Sequence, residues 1–502
     1  MNHVLNSNGN GSGKPQLDKK REPATAAQGI TAGGGESLVK FRANHAAETS
    51  GSLVQANRHT AVFEIYDPGA APLVSESLTG FSIIIQGRSV YAGRAVVNKL
   101  INAGTKLICE ASLVESDWTG LAGQDASRLD AAYLEEHYKV FLGEWQKLYK
   151  VSPDFKVVVT DLQVLLSELR LWLDELEMSV STMPATDRAA LERELIPSLQ
   201  AKVNTAIGGL TERFEDTLNR VQADLIPLHR AFCRRMMNPI TMCSPFMRRA
   251  FQKPLGYAGD YEMVNMMFRS PFEGDSLFAK LVNCYALQLP PIVGHRNRIK
   301  FLVGRLQTEA LRLNGLRRET RVFSIGCGPA QEIQQFMAAS NLSNFLDCTL
   351  VDFSAETLER TAQVLQGLKW QYSRATRIKT IKKSAQQLIR PEGRSEANGK
   401  PERYDFMYCA GLFDYLTDYL CRQILEVCYA KLAPGGLLIA TNVDEHPARH
   451  QMECFLDWHL IHRNTGQMLA VAPAGVPPDN ILLKRDPSGV NVFLEIRKPD
   501  DE

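Results

Sequence analysis

Two glycines and an acid carry the first chemical signal. In "RVFSIGCGPAQEIQQF", apolar residues run into Gly326, Cys327, Gly328 and Pro329, and helix-forming residues follow. A strand that enters a glycine-rich turn and leaves as a helix is a ligand-binding loop of α/β proteins. Gly326 permits a tight turn, and Gly328 lets backbone approach a ligand closely. A dinucleotide fingerprint would want glycine at 331, and that residue is Gln331, which weakens a pyrophosphate reading. The next apolar run, "CTLVDFSAETLER", ends in Asp352 and Phe353, and Asp352 lies 26 residues beyond Gly326. An acid at the end of the second strand accepts hydrogen bonds from both hydroxyls of a ribose. Its blander role is to cap the following helix, which Ser354 can also do.

Two further clusters hold reactive side chains. "GYAGDYE" places Tyr257, Asp260, Tyr261 and Glu262 in a glycine-hinged loop ahead of the α/β region. "TNVDEHPARHQMECFLDWHLIHRNTGQM" brings His446, Arg449 and His450 close together, with Trp458, His462 and Arg463 after them. It follows the fifth strand of the α/β region, so its start should face a cleft. Either cluster is also what a polar helix surface looks like. Seven of the 14 methionines fall between Met236 and Met267. Such a patch suits an adaptable apolar channel or plain helix packing, and both readings stay open.

The elements that must position these residues are legible in outline. Residues 1–50 are rich in Gly, Asn, Ser, Ala and Lys and read as a disordered tail. Residues 51–118 carry short β-branched or aromatic runs between turn signals, the texture of a small antiparallel sheet or barrel. Residues 119–235 repeat apolar residues at three- and four-residue steps and read as a helical bundle. Residues 236–314 form a helical lid or substrate region around "GYAGDYE". Residues 315–502 alternate strand and helix, an α/β domain with a mostly parallel sheet.

Bulk properties narrow the function classes. The formal net charge is +1, so no global field draws the chain to nucleic acid or to an anionic membrane. No run approaches the roughly 18 apolar residues of a membrane span. The N-terminus lacks the apolar core of a signal peptide. The 10 cysteines show no Cys-x-x-Cys and no zinc spacing, so no metal site is expected and a reduced, cytoplasmic chain is the natural reading.

Four features together resemble the class I S-adenosyl-L-methionine-dependent methyltransferases: the Gly-Cys-Gly-Pro loop, the strand-end Asp352, the Leu-Ala-Pro-Gly-Gly turn at 432–436, and a terminal hairpin around "DPSG". The resemblance implies a Rossmann-like sheet of seven strands with the last antiparallel. It implies that Gly326 and Gly328 meet the methionine part of the cofactor and Asp352 the ribose, with Cys327, Pro329 and Phe353 as neighbours. Ser384 and Ala385 would lie near the adenine, and Cys409, Ala410 and Gly411 would end the fourth strand under the sulfonium. One residue departs from the pattern: Ser324 stands where many members carry an acid. The β-rich region loosely resembles the PilZ barrel, which binds cyclic di-GMP in many proteins. Its Arg-x-x-x-Arg arm and Asp/Asn-x-Ser-x-x-Gly turn are absent, which argues against that ligand, although Arg58, Arg88 and Arg94 are available to meet a phosphate.

Chemistry helps to choose an acceptor. A carboxylate needs no base to attack a sulfonium methyl, and the attack neutralises both charges, which a dry apolar site favours. "KPLGYAGDYEMVNMMF", "IGCGPAQEI" and "DWHLIHR" resemble the bacterial 3-hydroxypalmitic acid methyl ester biosynthesis proteins. That resemblance implies a methyl ester quorum-sensing signal and a fatty-acid-like small-molecule substrate. Tyr257, Asp260, Glu262, His446, Arg449 and His450 are the catalytic candidates, with Arg449 and a histidine suited to orient a carboxylate. Two alternatives stand beside this reading. One is a methyltransferase for another hydroxyl or amine, with Asp260, Glu262 or His446 as base. The other is a non-enzymatic signalling module. A homodimer is left open.

Overall fold

The β-rich region alternates its apolar residues with period two, and this is what rolls it into a closed barrel. In the computed structural model, strands β1 (Ser37–Arg42), β2 (Thr49–Ala56), β3 (Thr60–Ile65), β4 (Ser77–Ile85), β5 (Arg88–Asn102) and β6 (Leu107–Leu113) pair in the order β1-β2-β3-β6-β5-β4. All pairings are antiparallel, and β1 meets β4 to close the barrel. Phe41, Phe63, Phe81 and Tyr91 point inward, with successive ring centroids 5.4, 5.6 and 5.9 Å apart. The barrel therefore begins at Ser37, and the tail expected over residues 1–50 gives up its end to β1 and the start of β2. The structure describes residues 37–43, 48–57, 59–65, 71–85, 88–102, 107–113, 118, 130–180, 182–389 and 402–500. The remainder of the expected tail and Arg58 lie outside the described residues.

The middle of the chain is helical: α1 (Ala131–Lys147), α2 (Pro153–Val180), α3 (Ala185–Asn219), α4 (Ile226–Thr241), α5 (Pro245–Gln252), α6 (Tyr261–Phe268), α7 (Leu277–Leu287) and α8 (Pro290–Gly315). On α2, Phe155, Val158, Val159, Leu162 and Leu166 recur at helical spacing and are all buried. They join Phe214 and Leu218 of α3, Met237 of α4, Met247 of α5, Met263 and Met266 of α6, and Leu281 of α7 in one core. Residues 119–235 and 236–314 thus do not make separate cores. The methionine-rich stretch is largely the filler of this shared interior. The last turns of α8 belong to a different core: Leu302, Leu306 and Ala310 pack with Val322 and Phe336 of the α/β part.

That part runs β7 (Thr320–Ile325), α9 (Gln331–Ala339), β8 (Leu346–Asp352), α10 (Ala355–Tyr372), β9 (Arg377–Lys382), α11 (Ala385–Leu388), β10 (Tyr404–Cys409), α12 (Asp418–Lys431), β11 (Leu432–Val443), α13 (Arg449–Phe455), α14 (Thr465–Ala470), β12 (Ile481–Arg485) and β13 (Asn491–Arg497). The sheet order is β12-β13-β11-β10-β7-β8-β9. β13 runs antiparallel to both neighbours, while β11, β10, β7, β8 and β9 are mutually parallel. This is a seven-stranded, Rossmann-like mixed sheet. Every residue of β10 is buried, as a central parallel strand requires. The edge strand β9 carries Arg377, Lys379 and Lys382, which protect an open edge from further pairing. From β7 the chain steps outward through β8 and β9, then returns to build β10 and β11 on the other side. The reversal leaves a crevice between the carboxyl ends of β7 and β10.

A buried carboxylate fastens α8 to the sheet. Glu309 accepts from Arg497 Nη2 at 2.5 Å and Nη1 at 2.9 Å, and from Arg312 Nε at 2.9 Å. Burial raises its pKa, but the two arginines outweigh that and hold it below the usual glutamate value. A depressed folded pKa gives stability that is present above the unfolded value and lost as pH falls through the folded one. Glu309→Gln should cost about 1–3 kcal/mol at neutral pH, because charge-assisted hydrogen bonds are lost while the two part-exposed arginines stay solvated. Urea unfolding would measure this, and the gap to wild type should shrink as pH falls below roughly 4.

Candidate functional site

The crevice is built upward from the loop after β7. Gly326 and Gly328 have φ of +63° and +51°, a backbone region that side chains disfavour. The loop is tied down by Cys327 N–H donating to Val351 O at 3.0 Å. Asp352 leaves the end of β8 beside it. Its Oδ2 accepts from Gly328 N–H at 3.1 Å and its Oδ1 from Ser354 N–H at 2.9 Å. Ser354 Oγ in turn caps α10 through Thr357 N–H at 3.2 Å. Burial raises the Asp352 pKa, and the backbone N–H groups work against that rise. Ser354 thus supplies the helix cap, and Asp352 lines the cleft.

The roof is the "GYAGDYE" loop and α6. Gly259 has φ of +74°, and a Cβ there would lie 2.9 Å from both Trp458 Cζ2 and Tyr415 Oη. Only glycine lets the loop close this tightly. Tyr415 OH donates to Ala258 O at 3.2 Å and accepts from Trp458 Nε1 at 2.7 Å. Tyr257 packs against Phe353 with ring centroids 5.1 Å apart. Tyr261 OH reaches Glu356 at 3.0 Å, and Gln331 Nε2 reaches Asn265 at 3.0 Å. The helical region is therefore sewn to both sides of the crevice.

The floor holds charged groups. His295 and Arg298 come from α8, Glu332 from α9, Tyr408 from β10, and Asp414 from the turn after β10. Tyr408 OH donates to Glu332 Oε1 at 2.6 Å. Burial pushes the Glu332 carboxyl up. Asp414 Oδ1 accepts from Val443 N–H at 2.7 Å, and its Oδ2 is 3.7 Å from Arg298. Burial raises its pKa to about 6 despite Arg298, Val443 N–H and Arg463. Arg298 Nη2 donates to His295 Nδ1 at 2.7 Å. Burial, with Arg298 and Arg296, holds His295 well below the usual histidine value, so the ring is neutral. The turn carrying Asp414 is held by Arg463, which donates to Phe413 O at 2.7 Å, Leu416 O at 2.5 Å, Asn442 Oδ1 at 2.8 Å and Asp418 Oδ1 at 2.9 Å. The whole cleft and its mouth enclose about 1070 Å³ of empty space.

Of the catalytic and cofactor candidates named from sequence, Tyr257, Gly326, Cys327, Gly328, Pro329, Asp352, Phe353, Ala410 and Gly411 line this cleft, as do Tyr261, Ser324, Gln331 and Trp458. The others do not, and each has a structural task instead. Asp260 caps α6 through Met263 N–H at 2.8 Å and takes both arms of Arg249 at 3.0 and 2.9 Å. Glu262 pairs with Arg269 at 2.8 Å. His450 donates its backbone N–H to Glu215 of α3 at 3.1 Å, and its Nε2 meets Asn219 at 3.0 Å. Arg449 bridges Glu445 at 2.7 Å and Glu453 at 3.1 Å, and Glu453 also holds Arg230 of α4. His446 is buried against His462, its Nδ1 accepting from Ala448 N–H at 3.3 Å. Ser384 and Ala385 start α11, where Ser384 and Gln387 form a reciprocal cap. Cys409 is buried behind the cleft, its thiol pKa pushed well up by burial. Among the described residues no cluster of His, Cys, Asp and Glu could hold a metal ion, and no helix is long and apolar enough to cross a membrane.

Sequence reading passed over His295, Arg298 and Asp414. A signal existed: His295 heads the stripe Ile299, Leu302, Leu306 at four- and three-residue steps, so it belongs to the buried face of α8. Asp414 sits in "GLFDYL", an otherwise apolar turn after a fully apolar strand.

The chain matches no family model and no curated protein. Solved structures resemble it distantly. A possible exported protein from Bordetella parapertussis is 15% identical, with 63% of this chain and 100% of that chain covered and a TM-score of 0.39. Magnesium protoporphyrin IX methyltransferase from Synechocystis PCC 6803 is 11% identical, covering 41% and 84% with a TM-score of 0.30. An O-methyltransferase family protein from Burkholderia thailandensis is 13% identical, covering 56% and 75% with a TM-score of 0.29. Likenesses at this level carry no argument about activity.

The roof contact is open to a direct check. Gly259→Ala should destabilise the loop by more than about 1 kcal/mol, through both its positive φ and the clash with Trp458 and Tyr415. Hydrogen exchange should rise over residues 256–268 with little change in β7 to β11.

Proposed function

We propose that the chain is an S-adenosyl-L-methionine-dependent methyltransferase that acts on the carboxylate of an apolar, fatty-acid-like small molecule. One observation carries the methyltransferase reading. The Gly326–Gly328 turn and the Asp352 carboxylate meet at the reversal point of a seven-stranded sheet whose β13 is antiparallel.

The residues present fit the cofactor. Gly328 carries no side chain, and a Cβ built on it would meet nothing within 4 Å, which leaves room for a ligand against the backbone. Asp352 offers carboxylate lone pairs to the two ribose hydroxyls. Ala410 and Gly411 line the cleft at the end of β10, where the reacting centre would sit. When bound, the cofactor supplies a methyl group on a positively charged sulfur. The chain's own part is to orient the acceptor and exclude water. Trp458, Tyr415, Tyr257 and Phe353 supply a mostly aromatic cover, and Met267, Ile292, Leu412, Met452 and Leu460 supply apolar wall for a chain.

The state of the ionisable groups favours an acceptor that already carries its charge. The Tyr257 hydroxyl is pushed up to about 12 by burial, so it is no base at neutral pH. Burial and the neighbouring Arg298 and Arg296 hold His295 well below the usual histidine value, so it is a poor base at neutral pH. Asp260, Glu262 and His446, the bases considered from sequence, lie outside the cleft. A carboxylate needs none of them. One observation favours a second reading, a hydroxyl or amine acceptor: Asp414 lines the cleft with a pKa of about 6 and could accept a proton.

Two measurements test the proposal. Asp352→Ala should weaken binding of S-adenosylhomocysteine by about 10-fold or more, the worth of a charge-assisted hydrogen bond, with the fold retained. Unchanged affinity in calorimetry would remove Asp352 from the ribose. Purified protein with labelled cofactor and a panel of fatty and 3-hydroxy fatty acids should yield a base-labile methyl ester by mass spectrometry. A base-stable product would move the assignment to the hydroxyl or amine reading.

A further inference from the structure

Two arginines lie buried in the α/β part, and they differ in how well they are matched. Arg463 is 2% exposed, and its three nitrogens donate to four acceptors around the Asp414 turn. Arg298 is 5% exposed and lines the cleft. Its Nη2 donates to a neutral imidazole at 2.7 Å. Its nearest carboxylate partner is Asp414 Oδ2, 3.7 Å from Nη1, an ion pair too long for a hydrogen bond. Its Nε is buried with no hydrogen-bond partner. A guanidinium has five N–H donors, and burying it so poorly matched is costly unless something else completes it.

The surroundings are shaped for that completion. Gly411 has φ of +89°, and a Cβ there would lie 2.8 Å from Arg298 Nη2, so only glycine lets the guanidinium lie against the end of β10. Arg298 Nη2 lies 2.7 Å from His295 Nδ1 and 3.5 Å from Nε2, so the guanidinium lies across the imidazole, which in either neutral tautomer keeps one N–H to donate. Because the ring is neutral, it adds a hydrogen-bond donor without a second positive charge. A planar cation with free donors, beside a neutral donor in a water-poor cleft, matches a carboxylate, which accepts two parallel N–H bonds.

We propose that Arg298 and His295 form a carboxylate-receiving site in the floor of the cleft, beside Gly411 and Asp414. This rests on the methyltransferase reading for what enters the cleft. Two molecules in that reaction carry the group: the cofactor, at its amino-acid end, and the acid acceptor.

The test uses the full-length chain and Arg298→Met, which keeps length and apolar packing while removing the charge. Calorimetry would compare S-adenosylhomocysteine with its decarboxylated analogue, and steady-state methyl transfer would use 3-hydroxyhexadecanoic acid. A loss of at least about 30-fold in S-adenosylhomocysteine affinity, with the decarboxylated analogue unaffected, assigns the site to the cofactor. Unchanged cofactor affinity with a KM for the acid raised at least about 30-fold, and kcat little altered, assigns it to the acceptor. If neither changes in a folded variant, the site is overturned. Should Arg298→Met fail to fold, wild type decides: equal affinity for the two nucleosides, with equal calorimetric affinity for the acid and its primary amide, also overturns it. Wild type that binds no S-adenosylhomocysteine would instead sink the methyltransferase reading itself.

Discussion

The reversal of strand order between β7 and β10 is the constraint on which the rest of the molecule depends. Parallel strands joined by right-handed crossovers send all their carboxyl ends to one edge of the sheet. Where the chain stops building in one direction and starts in the other, no crossover covers that edge. The gap is bordered by the Gly326–Gly328 turn, Asp352, and the Ala410–Gly411 turn. Such a gap exposes backbone and carboxylate in a concave, largely apolar setting. The helical region then roofs it, docking at Gly259, Tyr261 and Asn265. Removing bulk water strengthens the fields of the few charges left inside.

Those charges fall into two kinds. Glu309 with Arg312 and Arg497, and Arg463 with the Asp414 turn, are satisfied among themselves and hold elements together. Arg298 is left partly matched, at the place where a ligand would complete it. The molecule thus separates the charges that hold the fold from the charge that is free to recognise. Arg463 and Arg298 are both buried, so exposure alone does not distinguish them; the count of donors already spoken for does.

The contrast between the two sequence-flagged clusters shows where sequence reasoning is strong. "IGCGPAQEI" reached the cleft because its role depends on local conformation, a turn between a strand and a helix, which the residues specify within a few positions. "DEHPARH" did not, although it follows β11 just as a site loop should. Its His450 is claimed by α3, the backbone N–H by Glu215 and the ring by Asn219, while Glu453 beside it takes Arg230 of α4, each more than 200 residues away in the chain. No local pattern announces such a partner. The same holds for Asp260, which is drawn to Arg249 and the N-terminus of α6.

By itself the sequence determined a small antiparallel sheet or barrel, a helical middle, a mostly parallel α/β sheet and the glycine-and-acid loop, because period-two and period-3.6 patterns and positive-φ turns are local properties, while the count of seven strands came from the resemblance. It also determined that the methionines between 236 and 267 would be apolar, but not whether they line a channel or fill a core. Tertiary structure decided that, placing Met237, Met247, Met263 and Met266 in the helical core while Met267 reaches the cleft. It decided too that β1 begins the barrel at Ser37, through its pairing with β4 some 40 residues on. And it decided which of the many acids, histidines and arginines face the cleft. A side chain's protonation and freedom depend on what packs around it, and that is set by elements far apart in the chain.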